Sequence, residues 1–217
     1  MERNRTGQVI AILALVVGVV SLSIGFASFS SVLNIQASAN VKPDRSTMNV
    51  DFSSAVDKVE VAEIVPTTTP DSLETTNATI DNSSDPTISN LSATFTEPGQ
   101  SVTYEFYAFN AGELNAYLKS IVYGNVTGKN ATKVCTAASG TTDALVQKAC
   151  EKISIKVKVG NELETSTGKA SITGHALAKG NGEKVAVTLE YEAGADRTDG
   201  DFSVAFGDIT LNYSSAD

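Results

Sequence analysis

Tryptophan is absent from this chain, histidine occurs once and cysteine twice. One imidazole and two thiols leave little material for a transition-metal centre. The lone His175, in Thr173-Gly174-His175-Ala176, has no H-E-x-x-H context and no second histidine to join it, so it reads as a loop or strand-end residue. No phosphate-cradling glycine loop, G-x-G-x-x-G or G-x-S-x-G elbow occurs either. Catalysis therefore has no motif behind it, and an enzyme would need carboxylates assembled in space. Cations are also scarce: Lys and Arg total 16 against 25 Asp and Glu, a net charge of −9. With no clustered basic footprint, nucleic acid is excluded as a partner. Aromatic residues make up only 6% of the chain, so a core must be built chiefly from aliphatic side chains.

The chain does contain hydrophobic residues, 41% of the total, which suffices for one sizeable domain. The longest apolar stretch, IAILALVVGVVSLSIGFASFSSVLNI (residues 10–35), follows the cations Arg3 and Arg5. A basic flank, an apolar run and small residues after it describe a secretory signal. Gly25 and Ala27 fit a small-x-small site with cleavage between Ala27 and Ser28. The next cation is Lys42, so no basic stop-transfer flank follows the run. Retention as a membrane anchor is the alternative, because the run borders the length of a spanning helix. A third reading, a type IV prepilin leader processed after Gly7, lacks a basic residue before the glycine and has Ile12 where bacterial pilins carry glutamate.

Beyond residue 30 the apolar pattern has a period of two, the signature of half-buried antiparallel strands. Ile153–Val159 and Lys184–Tyr191 alternate most cleanly, with Val185, Val187, Leu189 and Tyr191 on one face of the second. Val102–Phe109 carries aromatics on both faces and is expected deep between sheets. Phe202–Phe206 and Ile209–Tyr213 flank a Gly207-Asp208 turn or bulge, and weaker strands are expected at 31–37, 47–53, 58–65, 88–95 and 116–123. Only Thr142–Lys152 reads as helix, with Thr142 or Asp143 as its cap and Leu145 and Ala149 on one face. Many strands and one short helix predict an all-β antiparallel sandwich or jelly roll over residues 28–217, behind the signal or anchor at 1–27. Thr67–Asp85, rich in Thr, Ser, Asn and Asp, is expected to be a long polar surface loop.

Cys135 and Cys150 bracket the Gly140 turn and the short helix, and outside the cytosol a disulfide between them is the default. Asp196, Asp199 and Asp201 could offer oxygens to Ca²⁺, but their spacing is not that of an EF-hand, and an Asp-Gly turn explains them more simply. No other cofactor is implied. Six N-x-S/T triplets follow the apolar run, at Asn77, Asn82, Asn90, Asn125, Asn130 and Asn212; they matter only where glycosylation machinery is present.

Thr96-Glu97-Pro98-Gly99-Gln100-Ser101, the strand to Phe109, Asn110-Ala111-Gly112 and Ala116-Tyr117-Leu118-Lys119 form a turn-strand-turn-strand unit. This unit resembles the TasA/camelysin family of secreted biofilm-matrix proteins. Gly25-Phe26-Ala27-Ser28-Phe29-Ser30 is similar to that family's signal junction, and Met48–Phe52 sits where the family has an early apolar strand. The Cys135–Cys150 element departs from the family pattern, and the lone His175 does not support the metallopeptidase label attached to camelysin relatives. The resemblance implies a jelly-roll subunit that polymerises by donor-strand exchange. The donor would be Ser28–Val41, with apolar Phe29, Val32, Leu33, Ile35 and Ala37; otherwise the segment is the first strand of its own sheet.

These readings lead to an expected non-enzymatic structural subunit at the cell surface or in an extracellular matrix. Its partners would be copies of itself or other surface and matrix proteins, with membrane contact only through an uncleaved N-terminal segment. A membrane-anchored extracellular sandwich that recognises a ligand through its loops is the alternative, followed by a pilin-like subunit.

Overall fold

The computed structural model describes residues 48–70, 73–165, 172 and 174–215. The Ala27–Ser28 junction and the strand expected at 31–37, with Phe29, Val32, Leu33, Ile35 and Ala37, lie outside the described residues. In chain order the elements are β1 Val50–Ser53, β2 Thr67–Thr69, β3 Thr79–Asp81, β4 Thr87–Ser89, β5 Ser92–Phe95, β6 Ser101–Asn110, β7 Ala116–Tyr123, β8 Lys133–Ala137, α1 Asp143–Glu151, β9 Ile153–Val159, β10 Glu162–Thr165, β11 Ala176–Leu177, β12 Gly182–Tyr191, β13 Phe202–Phe206 and β14 Ile209–Ser214. All the strand pairs are antiparallel, and they build the predicted β-sandwich. Among the described residues no helix is long and apolar enough to cross a membrane.

The first layer runs β1-β6-β12-β9-β10, with β2 also on β6. Its period-two strands do what their sequence demands. Val185, Val187, Leu189 and Tyr191 are fully buried, and Val187 lies opposite both Tyr104 and Val157. Each such burial contributes roughly 2 kcal/mol against an exposed reference. β6 buries Val102, Tyr104, Phe106 and Ala108 on one face only. Tyr107 and Phe109 are half-buried on the other face, so this strand is central to its layer rather than enclosed on both sides.

The second layer holds two runs of strands, β11-β7-β14-β4-β3 and β5-β13-β8. The runs meet along a seam. β4 continues into β5 across Asn90 and Leu91, and β13 into β14 across Gly207 and Asp208. At the seam the Phe206 N–H donates to the Leu91 carbonyl at 2.9 Å, Gly207 N–H to Thr132 at 2.9 Å, and Gly124 N–H to Asp208 at 2.7 Å. The Gly207-Asp208 dipeptide is therefore no hairpin turn: its two strands lie end to end and pair with different neighbours. Phe95 and Phe202 of this layer meet Tyr191 of the first edge-on, with centroids 6.1 and 5.5 Å away. The Tyr104 hydroxyl reaches from the first layer to β5, accepting from Ser92 N–H at 3.2 Å.

Three further expectations need correcting. The strand expected at 88–95 is two strands, because Asn90 takes φ of 62°, a conformation Asn tolerates best after Gly, and holds it by donating from Nδ2 to the Asn77 carbonyl at 2.8 Å. The strand expected at 58–65 is reduced to one bridge, Ile64 with Ala78. Its first residues are instead looped back onto Ser53, whose buried hydroxyl donates to Lys58 O at 2.7 Å and accepts from Glu60 N–H at 2.9 Å. The segment 67–85 is not a long polar loop, since it contributes β2 and β3. Ala78 and Ile80 anchor it in the core, and its hydroxyls pair across strands, as Thr79 does with Ser89 at 2.8 Å.

Candidate functional site

Two places combine unusual chemistry with access. The first is a cleft of about 270 Å³ at the end of the seam, lined by Tyr123, Thr132, Lys133, Ile153, Ile155, Phe206 and Gly207. Its walls come from both layers: the end of β7 and start of β8 on one side, the start of β9 on the other. Both walls are edges of strands, and part of each has no strand beside it among the described residues. Along the edge of β7 away from β14, β11 pairs with Ala116 and Tyr117, and Leu118 bonds His175 and Gly174. From Lys119 to Val122 no described strand pairs with that edge. On the edge of β9 away from β12, β10 covers Lys156 to Val159 and leaves Ile153 to Ile155 without a described strand. Unpaired edges of this kind are templates for another strand.

Lys133 spans the cleft. Its Nζ donates to the Ile153 carbonyl at 2.5 Å. Burial pulls the ammonium below the usual lysine range, and the charges of Glu192 and Glu151 only partly offset it. The same two walls are joined covalently. Cys135 on β8 is bonded to Cys150 at the end of α1, two and three residues from Lys133 and Ile153, with Cα atoms 6.0 Å apart. The expected disulfide is thus present. The helix beside it buries Val146 and Ala149, while Leu145 is only half-buried.

The second place centres on His175, at the entry to β11. Its Nε2 lies 2.5 Å from Glu183 Oε2 on β12 and its Nδ1 3.2 Å from Glu162 Oε1 on β10. Gly160, at φ of 55°, makes the β9–β10 turn and leaves room for the carboxylate, since a Cβ there would sit 2.0 Å from Glu183 Oε1. Burial pulls the imidazole down, but hydrogen bonds to Glu183 and Glu162 and their charges outweigh it, and the ring titrates above its ordinary value. Nearby, burial and then the Glu183 charge push the Tyr213 phenol up. The lone histidine could be seen in the sequence, but its two carboxylates could not: they stand 13 and 8 positions away on other strands.

The three aspartates have separate roles. Asp199 accepts from Thr142 N–H at 2.9 Å and from Thr142 Oγ1 at 2.5 Å, so it caps α1 from a distant loop. Asp196 takes the Tyr191 hydroxyl on its backbone carbonyl at 2.6 Å, and the Asp201 carbonyl accepts from Ala138 N–H and Thr141 Oγ1, each at 3.0 Å. Among the described residues no three His, Cys, Asp or Glu side chains converge as a metal site. No protein-family model matches this chain, and no curated protein or solved structure matches it either.

Proposed function

We propose that this chain is a non-enzymatic structural subunit of a cell-surface or extracellular assembly, joined to its neighbours by strand exchange. The observation that carries this reading is the cleft beside two strand edges that no described strand covers, β7 at Lys119–Val122 and β9 at Ile153–Ile155. An incoming strand satisfies its backbone on such an edge while alternate side chains enter the apolar space between Tyr123, Ile153, Ile155 and Phe206. The Cys135–Cys150 bond keeps the walls of that space together. Ser28–Val41 of a second copy is the strand offered, its Phe29, Val32, Leu33, Ile35 and Ala37 supplying the apolar side chains and its end released by cleavage after Ala27. An acidic surface keeps subunits apart until that specific contact forms.

The test compares protein beginning at Ser28 with protein beginning at Lys42, by light scattering and electron microscopy. Assembly of the longer form alone, inhibited by a synthetic 28–41 peptide, is the expected result. A monomer from both forms would sink the proposal and favour an anchored binding module.

A further inference from the structure

β11 is a weak strand by construction. Two residues pair with β7, extended by the Leu118 N–H donating to His175 O at 2.9 Å and the Gly174 N–H donating to Leu118 O at 2.8 Å. Its far end is held separately, where Asn110 Nδ2 donates to Leu177 O at 3.0 Å and Lys179 pairs with Glu113. Beyond Ile172, which is buried in the core, its near end is tied by His175, whose ring leaves the second layer and meets two strands of the first. That ring is only 15% exposed, against 25% for Glu183 and 52% for Glu162.

Both ring nitrogens face carboxylate oxygens. A neutral imidazole has one N–H, so one of the two contacts would become lone pair against lone pair. The imidazolium, with two donors, is the form that fits. The groups that face it are Glu162 from β10 and Glu183 from β12. Tyr213 from β14 feels the Glu183 charge, its hydroxyl is buried with no hydrogen-bond partner among the described residues, and it brings no competing charge. β7 meets the same residue through the backbone of Leu118.

We infer that His175 is a proton-operated clasp: charged, it holds the near end of β11 to Glu162 and Glu183 of the opposite layer, and on losing its proton it releases that end and lengthens the open edge of β7. The released stretch adjoins Lys119–Val122, the edge on which the incoming strand is placed above. The consequence for assembly rests on that strand-accepting reading; the clasp itself does not. The sign follows from linkage. A histidine held above its ordinary value contributes stability that is complete below about pH 6.5 and is lost as pH rises through the higher, folded-state value. Release, and faster assembly, lie on the alkaline side.

The chain has a single histidine, so an untagged protein beginning at Ser28 reports this ring without ambiguity in an NMR titration. Amide exchange at Leu118, corrected for the intrinsic base-catalysed rate, reports the near end of β11. The expected result is a ring titrating above its ordinary value while Leu118 protection falls in step. That fall is about tenfold for each unit by which the titration point is raised. Glu162→Gln, on the more exposed partner, lowers the titration point and shrinks the fall. His175→Gln makes Leu118 protection low and independent of pH, with light-scattering onset of assembly equally insensitive. A ring titrating at or below its ordinary value, or Leu118 protection unchanged across the titration, overturns the clasp. If ring and amide behave as expected but neither wild type nor His175→Gln assembles at any pH, the clasp stands and the strand-accepting reading fails.

Discussion

Gly207 faces Gly124 across the seam of the second layer so closely that a Cβ on Gly207 would lie 1.8 Å from the Gly124 carbonyl oxygen. That approach lets β13 and β14 lie end to end while their neighbours change, and it borders the cleft on which the proposed assembly depends. Gly207→Ala must push the two backbones apart and weaken the Gly207–Thr132 and Gly124–Asp208 hydrogen bonds. A loss of about 3 kcal/mol is expected, read from the urea midpoint at unchanged slope.

Tyr104 ties the layers together by its hydroxyl, which accepts from Ser92 N–H and donates within reach of Ser92 O at 2.9 Å and Thr76 O at 3.1 Å. Tyr104→Phe leaves the ring packing intact but takes the hydroxyl partner from the half-buried Ser92 amide. The expected destabilisation is roughly 1–2 kcal/mol by the same measurement. No change would mean that the hydroxyl is not the link between β6 and β5.

Reducing the Cys135–Cys150 bond, or replacing both cysteines with serine, releases a segment whose ends are 15 positions apart. The chain-entropy model gives a loss of about 3 kcal/mol. Because this bond staples the cleft walls, amide exchange at Val134 and Ile155 is expected to accelerate more than exchange at Val187 in the middle of the first layer.

Asp199 is held below the usual carboxylate range, first by the Thr142 hydroxyl and then by the Thr142 N–H. A depressed carboxylate contributes stability present above its unfolded value, near pH 4, and lost as pH falls through the folded one. Protection of the first-turn amides Leu145 and Val146 is therefore expected to decline on acidification, and Asp199→Asn to show the lower protection already at neutral pH. Identical exchange in the two proteins would remove Asp199 from the capping role.

The strands that could be read in advance are those in which one face alone carries the apolar residues. Ile153–Val159 and Gly182–Tyr191 are central or near-central in their layer, so burial follows the period-two pattern without help from elsewhere. The failures share a cause. Residues 58–65 have strand-like composition, but Ser53 folds their first half back as a loop, and Val61 stays 59% exposed. Residues 67–85 look polar throughout, yet Ala78 and Ile80 suffice to seat β3 once Ile64 and β4 lie alongside. In each case the partner lies outside the segment being read, Ser53 before one and β4 after the other, and the alternation within the segment carries no record of it.

The amino-acid sequence by itself determined that the described residues form an antiparallel β structure with one short helix and one disulfide, because alternation, turn chemistry and two cysteines are local properties. Tertiary structure alone decided where the open edges fall. It set Lys133 across from Ile153, brought Asp199 to the Thr142 N–H and hydroxyl at the start of α1, and brought Glu162 and Glu183 to the two nitrogens of His175. Those outcomes depend on which strands become neighbours, a choice made by the burial of whole faces and not by the residues at the contact.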